Sequence, residues 1–302
     1  MIPQTYLIGF TSIDSKGLAT YLADTGQHDF LADMQEAAEK GISPGEILCS
    51  FYAKLCYRSL VLGKNSNLTG TRAISDNLQG IVKSGHGAVL EHCTLNFITT
   101  GCSRVFTHEL VRHRAGFAFS QTSGRYCTVE DAKMVLPPIA NDLPAAECNV
   151  CGGKGQKPSE SFIGGQGTEF LTEECKRCEG TGYLTIAECF ESDLEETKQK
   201  LAAYRKALGL DEPGCSFERK KTFTSMLRRL MPNGADNEIG WSVNLRALRH
   251  VLELRTSRHA EWEIRKVFHD VSEIIEKRWP TMLYGGTKGM HEGLVEWTGL
   301  HV

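Results

Sequence analysis

Between residues 145 and 183 the chain stops reading as hydrophobic core. The stretch is rich in Gly, Cys, Lys and Glu and poor in apolar residues at helical or strand spacing. It carries four cysteines in two matched motifs, Cys148-x-x-Cys151-Gly152-Gly153-Lys154-Gly155 and Cys175-x-x-Cys178-Glu179-Gly180-Thr181-Gly182. A segment so short of hydrophobes cannot fold by burial alone. Four thiolates around tetrahedral zinc would order it, and the glycines let the chain turn tightly about the ion. A disulfide pairing is the competing reading, disfavoured if the chain is cytosolic. With sulfur in every position no place is left for water, so Cys148, Cys151, Cys175 and Cys178 are read as ligands of a structural zinc. The apolar patterns on either side must then form one core from two halves, 1–140 and 185–302, with 145–184 as an insertion.

Those flanks have ordinary globular content, 41% hydrophobic and 24% charged over 302 residues. The expected class is α+β, an antiparallel sheet with long helices. Thr5–Phe10 and Cys93–Thr100 read as strands. Helices are expected over Glu46–Leu60, with Ile47, Phe51, Leu55 and Cys56 on one face, and over Thr71–Lys83, ended at Gly85. Ser103 caps a helix that buries Phe106 and Leu110 and runs into an aromatic loop, Ala115–Tyr126. Leu194–Leu208, Phe217–Leu230 and a long stretch after Trp241 complete the helices. The seven cysteines outside the motifs read as small buried hydrophobes.

No apolar run approaches membrane-spanning length, and the first residues lack the pattern of a secretory signal, so the cytoplasm is the expected location. A net charge of −3 gives no general field for nucleic acid, so none is expected as a partner and any anion site must be a local cluster of cations.

Such a cluster exists. Arg112-His113-Arg114 is followed by Ser123-Gly124-Arg125, and then by Arg228, Asn244, Arg246, His250, Arg255, Arg258 and His259. Guanidinium groups bind phosphate in fork geometry and keep their charge at any working pH. A solvated helix face is the bland alternative. Against it, the loop before Arg125 is aromatic, and Asn244 and Arg255 fall about 20° apart on an ideal helix while Arg246 and His250 fall on another face. No GxGxxG follows a strand and GxxxxGK[ST] does not occur, so a nucleotide would be held by side chains and loops.

Arg112-His113-Arg114 with Ser123-Gly124-Arg125-Tyr126 resembles the signature of the flavin-dependent thymidylate synthases, with a spacer of eight residues against the family's usual seven. Leu55 to Ser59, Leu90 to Thr94, Ser103 to Leu110, Arg228 to Pro232, Asn244 to His250 and Leu254-Arg255 resemble further family segments in the right order. The cysteine stretch resembles half of a DnaJ-type zinc domain.

The resemblance implies conversion of dUMP to dTMP, with methylenetetrahydrofolate as carbon donor, reduced FAD as hydride donor and NADPH as reductant. It implies that Arg255 contacts and activates the uracil. Glu109, Arg112, Gln121, Ser123, Gly124, Arg125 and Arg228 correspond to further dUMP-binding positions. His92, Thr94, Arg112, His113, Arg114, Gln121, Asn244, Arg246, His250 and His259 correspond to FAD-binding positions. It also implies a homotetramer with interface active sites and no cysteine nucleophile, so that Cys56 and Cys127 serve packing. Glu109 stands where many members carry Gln. Methylation of UMP or a 5-hydroxymethyl product is the alternative activity, and an inert core bearing a zinc interaction module is the alternative class.

Overall fold

The computed structural model describes residues 1–126, 131–162 and 168–300, and of residues 158–162 and 168–171 the backbone alone. The chain begins β1 (Gln4–Phe10), α1 (Ser15–Asp24), α2 (Asp29–Glu39), α3 (Pro44–Cys56), α4 (Ile74–Lys83), β2 (Thr94–Ser103), α5 (Arg104–Leu110) and β3 (Phe117–Gln121). It continues with β4 (Pro144–Glu147), β5 (Gln156–Phe162), β6 (Thr168–Glu174), β7 (Tyr183–Thr185), α6 (Ile186–Ala207) and α7 (Phe217–Leu227). Last come β8 (Asp236–Asn244), α8 (Leu245–Thr256), α9 (Trp262–Arg278), β9 (Thr287–His291) and β10 (Leu294–Thr298). Two compact units form, one of Pro3–Thr122 with Asn237–Val302, the other of Met1–Ile2 with Ser123–Asp236.

The larger unit is built on a sheet of order β1-β2-β8-β3. Strand β1 runs antiparallel to β2, and β3 antiparallel to β8 with Phe117 opposite Val243. Between β2 and β8, Asn96 accepts from Ser242 at 2.6 Å and Cys93 from Leu245 at 2.9 Å, which sets these strands in opposite directions. The antiparallel sheet expected from the sequence is therefore present. Alternation along β2 buries Leu95 and Phe97. Phe97 stacks on Trp241 at 4.6 Å, and Phe268 of α9 meets Trp241 at 5.8 Å. The core continues through Leu248, Val251 and Leu252 of α8 and Ile264, Val267, Val271 and Ile275 of α9. Helix starts are fixed chemically: Ser43 and Glu46 form a capping box, and Ser103, Asn244 and Glu261 each cap a helix by side chain.

Several boundaries differ from expectation. The aromatic loop contains β3, because Phe117 and Phe119 alternate onto the sheet beside Trp241. Helix α3 stops at Cys56, and its buried face carries Ile47, Ser50, Phe51 and Lys54, while Leu55 and Cys56 are exposed. Lys54 is covered because Asp33 pairs with it at 2.9 Å and Phe30 lies 5.4 Å away under the ammonium. Cys56 is thus not a packing residue, whereas Cys49, Cys93 and Cys102 are buried and Cys127 lies outside the described residues. The stretch after Trp241 begins as strand and then splits into α8 and α9, since Ser257 leaves the helical region (ψ 140°) and Glu261 starts a fresh cap.

One buried carboxylate stands out. Glu263 accepts from the Ser103 amide at 2.6 Å, and its other oxygen takes the Ser103 hydroxyl. Burial pushes it up to about 7 against the pull of these bonds, and Glu261 and Glu109 add like charge.

In the smaller unit β4 pairs with β7 and β5 with β6, all antiparallel. Cys148, Cys175, Cys178 and Leu184 form one buried cluster. Helices α6 and α7 pack through separate small clusters, one including Met134, Leu194 and Ala235, the other Leu201, Leu210 and Leu227. Residues 145–184 lie inside this unit.

Candidate functional site

Helix α5 delivers Arg112-His113-Arg114 as a turn just past its end, and the chain re-enters the sheet through Gly116. Gly116 sits at φ 76°, and a Cβ there would lie 2.5 Å from Asn244 Nδ2 and 2.9 Å from Ala247 Cβ. Its carbonyl accepts from the Asn244 amide at 2.9 Å, while Asn244 Oδ1 caps α8 through Ala247. This locks the cationic turn to the N-terminus of α8. Between them lies a cavity of about 520 Å³ lined by Arg112, His113, Arg114, Asn244, Arg246 and His250, with Glu91 at its edge. Arg246 pairs with Glu91 at 2.7 Å where both are about half exposed, so a competing anion can take over that arginine at little cost. The α8 N-terminus adds its partial positive charge. A Gly116→Ala substitution should therefore displace Asn244 and lower stability by about 1–3 kcal/mol; an unchanged melting transition would count against this role.

Arg255, in the last turn of α8, is held from two sides. Its Nε donates to His113 Nε2 at 2.9 Å and its Nη1 to Glu109 at 2.7 Å. His113 accepts at Nε2 and so carries its proton on Nδ1. Burial first, then Arg255, His250 and Arg112, push its pKa down to about 4, so the ring is neutral at neutral pH. Gln121 donates to Thr107 of α5 at 3.2 Å, placing it beside the same helix.

Asn244 thus shares the cavity with Arg246 and His250, which helical angles set on another face. The reason is that Asn244 is a cap with extended backbone (φ −80°, ψ 158°), for which 100° steps do not hold. Three further residues lie off the cavity. His92 stacks on Tyr52 at 3.8 Å, the Thr94 amide donates to Thr11 at 2.8 Å, and His259 is exposed on the turn between α8 and α9.

Ser123, Gly124, Arg125 and Arg228 belong to the smaller unit. There Ser123 Oγ accepts from the Arg125 amide at 3.3 Å, in a turn that includes Gly124. Arg125 lies over the Tyr126 ring at 5.8 Å, and Tyr126 stacks on Phe217. The Arg125 Nε is buried and finds no partner among the described residues. Arg228 is exposed where α7 ends. Sequence reasoning missed Glu91 as a cavity residue and missed a second cavity of about 350 Å³ lined in part by Lys54, Tyr57, Ser59, Arg72 and His86. The run Leu55 to Ser59 was the available signal.

In the cysteine module the Sγ of Cys148 and Cys175 are 3.8 Å apart, and those of Cys151 and Cys178 are 3.7 Å apart. All four sulfurs fall within 4.8 Å of one another. Zn–S bonds of about 2.3 Å in a tetrahedron require sulfur separations of about 3.8 Å. The Gly155 and Gly182 amides point at the Cys151 and Cys178 sulfurs, at 3.2 and 3.3 Å. That is the second shell a thiolate ligand needs. The four residues therefore fit zinc, which would supply structure and no chemistry.

The fold and site define an α+β protein that gathers Arg, His and Asn side chains around one cavity without a glycine-rich phosphate loop. Residues 42–281 match the family model described as Thymidylate synthase complementing protein. The chain belongs to this family, the flavin-dependent thymidylate synthases. It is 31% identical over 239 residues to the flavin-dependent thymidylate synthase of Mycobacterium marinum, covering 79% of this chain and 78% of the relative. It is 30% identical over 239 residues to that of Mycobacterium tuberculosis, with the same coverage. The fold is also similar to a crystal structure of the UMP/dUMP methylase PolB from Streptomyces cacaoi bound with 5-Br UMP, with a TM-score of 0.53 and 16% identity over 93% of this chain and 91% of that one. Among the described residues no helix is long and apolar enough to cross a membrane.

Proposed function

We propose that this chain is a flavin-dependent thymidylate synthase that transfers a one-carbon unit from methylenetetrahydrofolate to C5 of dUMP. NADPH reduces the flavin, and the family's curated members carry the same activity in their names. The observation that carries the reading is the cavity lined by Arg112, His113, Arg114, Asn244, Arg246 and His250, beside an Arg255 braced by His113 and Glu109.

In this reading those six lining residues hold FAD, with Gln121, His92, Thr94 and His259 as outer contacts. When bound and reduced, the flavin supplies the hydride. Arg112, Gln121, Ser123, Gly124, Arg125 and Arg228 are the proposed contacts of dUMP. Arg255 binds the uracil and offsets negative charge developing on the ring. His113, neutral and protonated on Nδ1, keeps an acceptor toward Arg255 and a donor toward the cavity.

The zinc is structural, on Cys148, Cys151, Cys175 and Cys178. We assign the catalytic part to 1–140 and 185–302 and the zinc module to 145–184, and place the enzyme in the cytoplasm. A homotetramer is part of the proposal: sheet-edge strand β1 exposes Tyr6 (53%), Ile8 (61%) and Phe10 (44%), an apolar row that suits burial against another copy.

The test is reconstitution with FAD, followed by release of tritium from C5-labelled dUMP and UMP. A yellow protein that releases label from dUMP with folate and NADPH is expected. Release from UMP alone would replace dUMP as substrate, and failure to bind flavin would overturn the reading.

A further inference from the structure

We infer that the C-terminal hairpin β9–β10 is a positioning element of the site: through Thr256 and Glu296 it fixes the end of α8 and so holds Arg255 against His113. The hairpin lies beyond the residues 42–281 that match the family model. This deepens the proposed function and rests on the reading of Arg255 as the uracil-facing group.

Arg255 is next to last in α8. Ser257 leaves the helical region (φ −57°, ψ 140°), so no further turn of helix supports the one that carries Arg255. Terminal turns fray because their last carbonyls lack intrahelical donors. Here the support comes from β10. Thr256 is fully buried, and its hydroxyl donates to the Leu252 carbonyl at 2.7 Å and accepts from the Trp297 amide at 2.9 Å. Two residues on, Glu296 accepts from the Arg258 amide at 3.0 Å and from the Arg258 guanidinium at 3.2 and 2.8 Å. These bonds hold the Glu296 carboxyl down to about 2, so it stays an anion at neutral pH. Successive residues of β10 thus grip the chain on either side of Ser257.

The hairpin is itself bolted to α9. Trp297 Nε1 donates to Ser272 at 2.6 Å and the Val295 amide to His269 Nδ1 at 3.1 Å, while the buried Arg265 donates to the His291 carbonyl at 2.9 Å. Val295, Trp297 and Leu300 lie in the main core, and Glu253 of α8 accepts from the Gly299 and Leu300 amides at 3.2 and 3.0 Å. A load on the end of α8 is therefore carried by the core and not by one surface pair. The buried face of α8 upstream, Leu245, Leu248, Val251 and Leu252, already packs that helix. What the hairpin adds is direction at residue 255, whose Nε meets His113 Nε2 only from one setting of the last turn. A displacement of about 1 Å at such a group costs about 100-fold in rate.

The experiment compares Thr256→Val and Glu296→Ala, which remove the grip, with Thr256→Ser and Glu296→Gln, which keep a hydroxyl and a carbonyl acceptor in place. In the full chain before FAD is added, NMR of isotope-labelled histidine follows the titration of His113. Wild type should titrate at about 4; Thr256→Val and Glu296→Ala should titrate higher, toward the ordinary histidine value, because Arg255 no longer donates to Nε2. In the reconstituted enzyme the same two variants should lose about 10- to 100-fold in kcat for dUMP at unchanged flavin affinity. The two conservative variants should recover most of the rate and the low His113 titration. A hairpin that serves stability alone would lower the melting transition of Thr256→Val and Glu296→Ala and leave His113 where it was; an unmoved His113 in both variants overturns the inference. Glu296→Ala decides if Thr256→Val does not fold. His113 displaced with kcat unchanged keeps the clamp and overturns Arg255 as the uracil-facing group. A wild type that turns over no dUMP overturns the proposed function, and the His113 titration still decides the hairpin.

Discussion

A Cys175→Ser variant should lose its zinc and, with it, the fold of the cysteine module. Cys175 and Cys148 are fully buried, and among the described residues their buried cluster adds Cys178 and Leu184, with Cys151 and Cys189 packed against it. Burial of one leucine stabilises by only about 2 kcal/mol, whereas structural zinc contributes about 10–16 kcal/mol in small zinc-bound peptides. Serine supplies a poor ligand at this metal, and no apolar contact takes over. The glycines at positive φ, Gly152, Gly153, Gly155, Gly180 and Gly182, favour the unfolded chain once the ion is gone. Wild type should carry one zinc per chain by elemental analysis. The variant should carry at most a small fraction of that, and limited proteolysis between 145 and 183 should speed up at least about tenfold. The main core contains none of the four cysteines, so its melting transition should persist. Wild-type protein purified with zinc present but free of it, or a variant as resistant to protease as wild type, would rule the zinc reading out.

An Arg255→Ala variant should lose about 100- to 1000-fold in turnover of dUMP, the range seen when one preorganised donor to a developing anion is removed. Flavin affinity should change little, because Arg255 does not line the cavity of Arg112 and Arg246. The loss has a second origin: Glu109 keeps its carboxylate in a site only 25% exposed, now with no cation beside it. Arg255→Lys should recover little of the rate. A lysine ammonium keeps the charge but cannot reach His113 and Glu109 at once from a planar fork. Steady-state rates with saturating folate and NADPH, together with the flavin absorbance of each variant, separate the two effects. Full turnover in Arg255→Ala would remove this residue from the chemistry.

Much of the site was legible because it is written in short-range order. Arg112-His113-Arg114 and Asn244 with Arg246 and His250 are each local in sequence, and local order survives folding. Their meeting was not legible from spacing: it depends on the Gly116 carbonyl bonding Asn244 across more than a hundred residues of chain. Helical angles misplaced Asn244 for the same reason, since a cap takes its direction from the strand before it. Glu91 was passed over because an exposed glutamate gives no signal until Arg246 is seen beside it. Leu55 and Cys56 were assigned to the core from four-residue spacing, yet the buried face carries Lys54, because Asp33 supplies the one partner that allows an ammonium inside.

Residue order by itself determined the four-cysteine cluster, the helix cap at Ser103 and the family. Each depends on groups a few residues apart, whose geometry the backbone fixes almost regardless of context. Only the tertiary structure decided that Phe117–Gln121 is a strand, that His113 is a neutral acceptor, and that Glu109 grips Arg255. These need partners from distant segments and a local dielectric, and both exist only once the sheet and α8 have come together.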